Sequence, residues 1–153
     1  MPVLITPRLN CSPLQEEDWP FFLALQQHPD VMRFVAEDRP VAAIREAFDS
    51  RLTPWTPGSA HWLCLVVRDA ASRAPLGVTG YIHREEDCAE VGFLFAPEAQ
   101  GKGYGFESLK ALCDYAFHQG GIRRLTATVT AGNVASRRLL EKARFCLEGE
   151  LRE

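Results

Sequence analysis

The stretch from Ala89 to Ser108, AEVGFLFAPEAQGKGYGFES, constrains the fold more than any other part of the chain. Val91 to Phe95 is apolar and aromatic, the composition of a buried strand. Pro97 cannot donate to a ladder, so the strand ends before it. Gln100 to Gly105 is a glycine-rich turn. After it Phe106, Leu109, Leu112, Cys113, Ala116 and Phe117 recur at helical spacing. The order is strand, glycine loop, helix. The first N–H groups of a helix lack intrahelical partners, and the helix dipole is positive there. Gly101, Gly103 and Gly105 let the backbone approach a ligand closely and adopt positive φ. Such a loop is either a cradle for an anion, most often phosphate, or a tight turn and nothing more.

The rest of the chain supplies a sheet for this unit. Val3 to Leu14 contains a first strand, ended by Ser12-Pro13. Asp18 is placed to cap a helix running to about Gln27, opened by Trp19 and Pro20. His28-Pro29-Asp30 breaks it before a short helical turn over Val31 to Phe34, and Glu37 to Pro40 is polar loop. Val41, Ile44, Ala47, Phe48 and Leu52 predict a second long helix. Thr53 to Ala60 is a loop around Trp55, whose ring is either a lid over a substrate or a cover for the core. The period then changes. Strands His61 to Arg68, Leu76 to Arg84 and Ala89 to Phe95, joined by short turns, form an antiparallel meander. The central helix, Gly105 to about Gln119, ends at Gly120-Gly121. Arg123 to Thr130 alternates as a strand, and the crossover through the helix makes it a parallel neighbour of the strand before the loop. Asn133 caps a helix to about Ala143, and Phe145, Leu147 and Leu151 mark a last strand. The expected fold class is α/β: a mixed, mostly antiparallel sheet of about six strands with flanking helices, in a single domain over residues 1–153.

Several function classes drop out on composition. Apolar runs such as Leu63 to Val67 are too short to span a bilayer, and the amino end lacks the basic start and apolar core of a secretion signal. Cysteines at 11, 64, 88, 113 and 146 are odd in number and form no C-x-x-C pair, which suits reduced thiols in a cytoplasmic protein. Scattered histidines give no metal-ligand spacing. No basic stripe carries interleaved aromatics, so nucleic acid is not an expected partner. Residues 1–100 hold 8 basic and 14 acidic residues, net −6, whereas residues 101–153 hold 9 and 6, net +3. The half with the glycine loop is positive. The acidic half would attract a cationic amine at long range, unless its charge is only a solvated surface.

The loop's register decides which phosphate ligand is expected. G-x-G-x-x-G fails because Phe106 stands where the third glycine belongs, and no acidic residue ends the next strand to hold a ribose. G-x-x-x-x-G-K-[ST] is absent. Q-x-x-G-x-G does fit, at Gln100, Gly103 and Gly105. Here the sequence resembles the GNAT N-acetyltransferase superfamily, whose [QR]-x-x-G-x-[GA] loop binds the pyrophosphate of acetyl-coenzyme A. PEAQGKGYGFESLKAL, Asn133-Val-Ala-Ser136 with Leu139 to Lys142 and Phe145, and TPRL at Thr6 to Leu9 are similar to the branch that includes ribosomal-protein Nα-acetyltransferases. The likeness is strong from Glu90 to Gly149 and looser before.

The resemblance implies a fold, an activity and a site. It sharpens the fold to that of the GNAT acetyltransferases. It implies transfer of an acetyl group from acetyl-CoA to a small-molecule or peptide primary amine, by direct attack in a ternary complex and without a metal. Backbone amides at Phe93, Leu94 and Phe95 would pair with the pantetheine arm between strands that splay apart. Gln100, Gly101, Lys102, Gly103, Tyr104 and Gly105 would hold the pyrophosphate. Glu90 matches a glutamate of the branch and is the candidate general base, acting through a water; the plain alternative is a solvated carboxylate at a strand end. His83 and Glu37 stand in reserve. Asn133 matches an asparagine that bonds coenzyme A, and it also suits a helix cap. Many superfamily members place a tyrosine seven residues later to protonate the leaving thiolate. Leu140 stands there instead, and Ser136, matching the branch's serine, takes the acid role and contributes to the cofactor site. Arg137, Arg138, Lys102 and Lys110 are candidates for phosphate contacts or a solvated basic face. No cysteine sits in a Cys–His arrangement suited to covalent catalysis.

Two departures from the family pattern carry expectations. Arg144 replaces the usual glycine before Phe145, and a left-handed backbone there would cost about 1–2 kcal/mol. The sequence ends at Glu153, where the family commonly has one more strand, so an open sheet edge is expected, with a homodimer as one way to cover it. The rival to an enzyme is an acyl-CoA sensor that kept the cradle and lost the chemistry; a nucleotide-binding domain is a third reading, which the loop register disfavours.

Overall fold

The computed structural model describes residues 3–32, 39–85, 87–128 and 134–145. One six-stranded sheet runs in chain order: β1 (Leu4–Ile5), β2 (Leu9–Pro13), β3 (Leu63–Asp69), β4 (Pro75–Glu85), β5 (Cys88–Phe95) and β6 (Arg124–Thr126). Neighbours are antiparallel as far as β5, while β5 and β6 are parallel. Helices α1 (Trp19–Gln27), α2 (Pro29–Met32) and α3 (Val41–Leu52) lie between β2 and β3 in the chain, α4 (Tyr104–His118) crosses from β5 to β6, and α5 (Val134–Lys142) follows. The mixed sheet, the meander and the parallel crossover agree with the pattern of the sequence. No helix among the described residues is long and apolar enough to cross a membrane.

Successive side chains of a strand point to opposite faces, and each face of this sheet carries its own core. Leu63, Leu65, Tyr81 and Val91 pack on the face of α4, against Leu109, Leu112 and Ala116. Cys64, Val66 and Val78 face the other way, toward Phe22 and Leu25 of α1 and Ile44 and Phe48 of α3. The Phe22 and Phe48 rings meet edge to face at 5.3 Å, which locks α1 to α3.

Local chemistry moved three boundaries. The single strand expected over Val3 to Leu14 is a hairpin. Pro7 interrupts it, and Thr6 closes the turn by donating its N–H to Leu9 O and accepting the Leu9 N–H on Oγ1, both at 3.0 Å. Asp18 does not cap α1 with its side chain. It is buried, accepts the Gln15 N–H at 2.8 Å and pairs with Arg68 of β3, so its charge serves the sheet rather than the helix. The short turn expected from Val31 begins earlier, because Pro29 suits the first helical position. Trp55 is core: 2% exposed, its ring stands edge-on to Tyr81 at 5.6 Å. The strand expected to reach Thr130 stops at Thr126, with Ala127 and Thr128 beyond it, while Val129, Thr130 and the last strand at Leu147 and Leu151, on which the open edge and homodimer depend, lie outside the described residues.

Candidate active site

The site begins where a seam stops. β5 and β6 pair only over Cys88 with Arg124, Ala89 with Leu125 and Glu90 with Thr126. β5 nevertheless runs on to Phe95, held on its other side by β4 as far as Gly77. Beyond Glu90, that edge of β5 has no strand partner among the described residues, so its outward backbone groups before Phe95 O, which accepts from Gln100, are open to a ligand. A cavity of about 450 Å³ opens there. β5 lines it from Glu90 to Leu94, Ala127 and Thr128 continue from β6, and α5 contributes Ser136 and Leu140. The remaining wall comes from β3 and β4 and from α1, α2 and α3, with Arg39 and Trp62.

The two candidate catalytic residues therefore border one cavity. Glu90 is partly buried and accepts from Arg84, whose Nε and Nη2 reach Oε1 at 3.0 and 2.9 Å. Both contacts fall on the same carboxylate oxygen. Ser136 is partly buried on the first turn of α5, one helical turn before Leu140. Phe93 and Leu94 line the cavity, and Phe95 is buried beside it in the core. Cys64 also touches the cavity, but burial pushes its thiol up to about 12, which leaves almost no thiolate at neutral pH. His83 sits against Trp55, outside the cavity wall. Asn133 and Glu37 lie outside the described residues.

The glycine loop divides into parts with different duties. Gly101 and Gly103 have φ of +75° and +83°, the left-handed region that favours glycine. Gly101, Lys102 and Gly103 are exposed, and a Cβ built on Gly101 meets nothing within 4 Å. Gly103 is the N-cap of α4 with no side-chain cap, so no capping side chain claims the helix's first N–H groups. These observations fit a diphosphate. Gly105 serves packing instead: a Cβ there would lie 3.1 Å from Leu139 Cδ2 of α5. The Gln100 side chain is turned inward and donates Nε2–H to Phe95 O at 3.0 Å, bracing the strand end.

Arg8, quoted above only as part of TPRL, holds this loop from the β1–β2 turn. Its Nη1 donates to Lys102 O at 2.9 Å, its Nε to Glu107 Oε1 at 2.7 Å, and its guanidinium lies 4.5 Å over the Tyr104 ring. Thr6 Oγ1 and the Arg8 N–H donate to the other Glu107 oxygen. Burial pushes the Glu107 carboxyl up, but these donors and the Arg8 charge hold it below its ordinary value of 4.5. Arg39, Arg51 and Trp62 were also not singled out from the sequence. For Arg51 a signal existed. It follows Phe48 by three residues and Ile44 by seven, on the inward face of α3.

Comparison with known proteins agrees with this geometry. A family model described as an acetyltransferase (GNAT) domain matches residues 8–146. An uncharacterized N-acetyltransferase, p20, from Bacillus licheniformis is 26% identical across 100% of this chain and 87% of its own. A spermidine N-acetyltransferase from Vibrio cholerae, solved with CoA and spermine, superposes with a TM-score of 0.82 at 23% identity over 95% of this chain and 85% of that one. A ribosomal-protein alpha-N-acetyltransferase solved with coenzyme A superposes at 0.81 and 18% identity, covering 97% and 86%. The ribosomal-protein enzymes are thus one of several groups of similar proteins.

Proposed function

Because the chain belongs to the acetyltransferase (GNAT) domain family, we propose that it moves an acetyl group from acetyl-CoA to a primary amine by direct attack within a ternary complex. The observation that carries this reading is the interrupted seam between β5 and β6, with Glu90 and Ser136 on the wall of the cavity it opens. The glycine loop and the uncapped start of α4 would hold the diphosphate, and the unpaired edge of β5 at Phe93 to Phe95 would align the pantetheine arm. The bound donor supplies an activated thioester carbonyl.

An alkylammonium has a pKa near 10 and is not a nucleophile until it loses a proton. Glu90, positioned by its ion pair with Arg84, accepts that proton through a water. The amine nitrogen bonds to the acetyl carbon and the carbon–sulfur bond breaks. Ser136 is the proton donor to the leaving sulfur, the role left open by Leu140. With the Cys64 thiol protonated, an acetyl-cysteine route has no nucleophile in this cavity. The acceptor is a protein N-terminus, as in the ribosomal-protein enzymes, or a small amine.

Steady-state acetyl-CoA turnover against a panel of amines tests the roles. Glu90→Gln is expected to lower kcat about 10²–10⁴-fold and Ser136→Ala about 10²-fold, both retaining acetyl-CoA affinity by calorimetry. Unchanged kcat would remove either residue from its role.

A further inference from the structure

The acceptor side of the cavity carries two guanidinium groups. Arg51 reaches it from the last turn of α3 and Arg39 from just before that helix. Arg51 donates Nη1–H to Ala47 O at 3.1 Å and lies 5.7 Å from the Trp62 ring centroid. Arg39 donates to the neutral Gln26 side chain. Neither forms an ion pair with a carboxylate among the described residues. The contrast with other arginines is informative: Arg8 pairs with Glu107, Arg45 with Glu16 and Asp49, Arg68 with Asp18, and Arg84 with Glu90. Burial lowers the pKa of Arg51; Cys64 opposes this in part, and the like charge of Arg39 adds a smaller lowering. A partly desolvated cation without a counter-charge costs free energy that an incoming anion recovers.

Arginine also presents a planar fork of donors that matches a carboxylate. Glu90 stands on the wall of the same cavity, with its own charge already matched by Arg84. Among the described residues, the unmatched charge facing an acceptor is therefore positive. This is opposite to what the acidic balance of residues 1–100 suggests, because Glu16, Asp18 and Asp49 of that half are engaged in ion pairs elsewhere. A polyamine would bring cations to cations here. A molecule with an amine at one end and an anion at the other would satisfy both regions. The cavity, at about 450 Å³, is in the range of small-molecule sites.

Resting on the N-acetyltransferase reading above, we propose that the acceptor is a small primary amine that also bears a carboxylate, with Arg39 and Arg51 binding the carboxylate and Glu90 receiving the proton of the amine. Both arginines are thereby specificity determinants. The amine and carboxylate are separated by whatever spans the cavity, and a homologous series of amino acids measures that span.

The experiment begins with calorimetry of acetyl-CoA binding to the intact protein. Turnover is then compared for matched pairs: α-, β-, γ- and longer-chain amino acids, each beside the amine lacking its carboxylate, with spermidine included. At least one amino acid is expected to exceed its partner amine tenfold or more in kcat/KM, through KM, and spermidine is expected to be poor. Arg51→Gln and Arg39→Gln should bring that ratio toward one, Arg51→Lys should restore part of it, and circular dichroism checks that each variant is folded. If Arg51→Gln fails to fold, Arg39→Gln and the wild-type ratios decide the matter. Uptake of acetyl-CoA with no preference for carboxylates, or with spermidine the best acceptor, overturns the proposal and leaves the acetyltransferase reading intact. An equal loss of acetyl-CoA affinity in the arginine variants assigns them to the donor's phosphates and also overturns it. Absence of acetyl-CoA uptake removes the parent reading, and the proposal with it.

Discussion

Arg144→Gly should stabilise this protein. Arg144 has φ of +76° and is the second residue after the end of α5. The Phe145 N–H donates to Leu140 O at 2.9 Å and the Arg144 N–H to Glu141 O at 3.0 Å. That two-bond ending is the Schellman arrangement, in which glycine is the usual left-handed residue. A Cβ in this conformation costs about 1–2 kcal/mol. Glycine loosens the unfolded chain, which takes back about 0.4–1 kcal/mol. The Arg144 side chain is exposed, so little packing is lost. The net gain is about 0.5–1 kcal/mol. For a chain of this length each kcal/mol moves Tm by about 2–4 °C, so a rise of about 1–4 °C is expected. Scanning calorimetry at neutral pH reads it directly. Arg144→Ala serves as control, since it removes the charge but keeps the Cβ, and it should give no such rise. A Tm for Arg144→Gly at or below that of the parent would refute the reasoning. An equal rise for Arg144→Ala would reassign the effect to charge.

Two further outcomes follow from ion pairs. Glu107, held below 4.5 in the folded protein, contributes stability that is present above that pH and is lost as pH falls through its folded value. The Tm gap between the parent and Glu107→Gln should thus be open at pH 7 and close progressively below about pH 4.5; a gap independent of pH would refute this. Asp18 is 5% exposed and Arg68 is its partner, so Asp18→Ala leaves a poorly solvated cation and an unanswered Gln15 N–H. A loss of about 3 kcal/mol in urea unfolding is expected, with the apolar pair Asp18→Leu and Arg68→Met costing less than the single change.

What the sequence disclosed follows from how far each signal reaches along the chain. The glycine loop, the run from Phe106 to Phe117 and the alternation after Arg123 are local patterns, and they sufficed for α4, the crossover and the parallel pairing. The left-handed position at Arg144 was legible because glycine was expected there. Glu90 and Ser136 were read from a resemblance, and only the folded chain shows them on one cavity wall, since 45 residues and a crossover separate them. Asp18 misled because an acid before Trp19-Pro20 suits a helix cap, whereas its true partner is 50 residues away on β3. Gln100 is similar: its amide is used by Phe95 O, a demand made by the turn's shape and by no spacing rule. Arg51 looks like an ordinary helix-surface cation until α3 is laid against the sheet, and Arg39, just before that helix, looks like an ordinary loop cation.

The cavity wall is assembled from two contiguous lengths of chain joined through the central strands. Among the described residues, the lining positions between Phe22 and Trp62 lie on one side, and those between Glu90 and Leu140 supply the other. Such a division lends itself to grafting. A chimera that takes only the segment from α1 to Trp62 from a relative, and keeps Arg8 on the glycine loop with the remainder, is expected to change its choice of acceptor while leaving that loop braced. Diversification of this enzyme can accordingly proceed by rewriting one segment, with the reactive centre left as it stands.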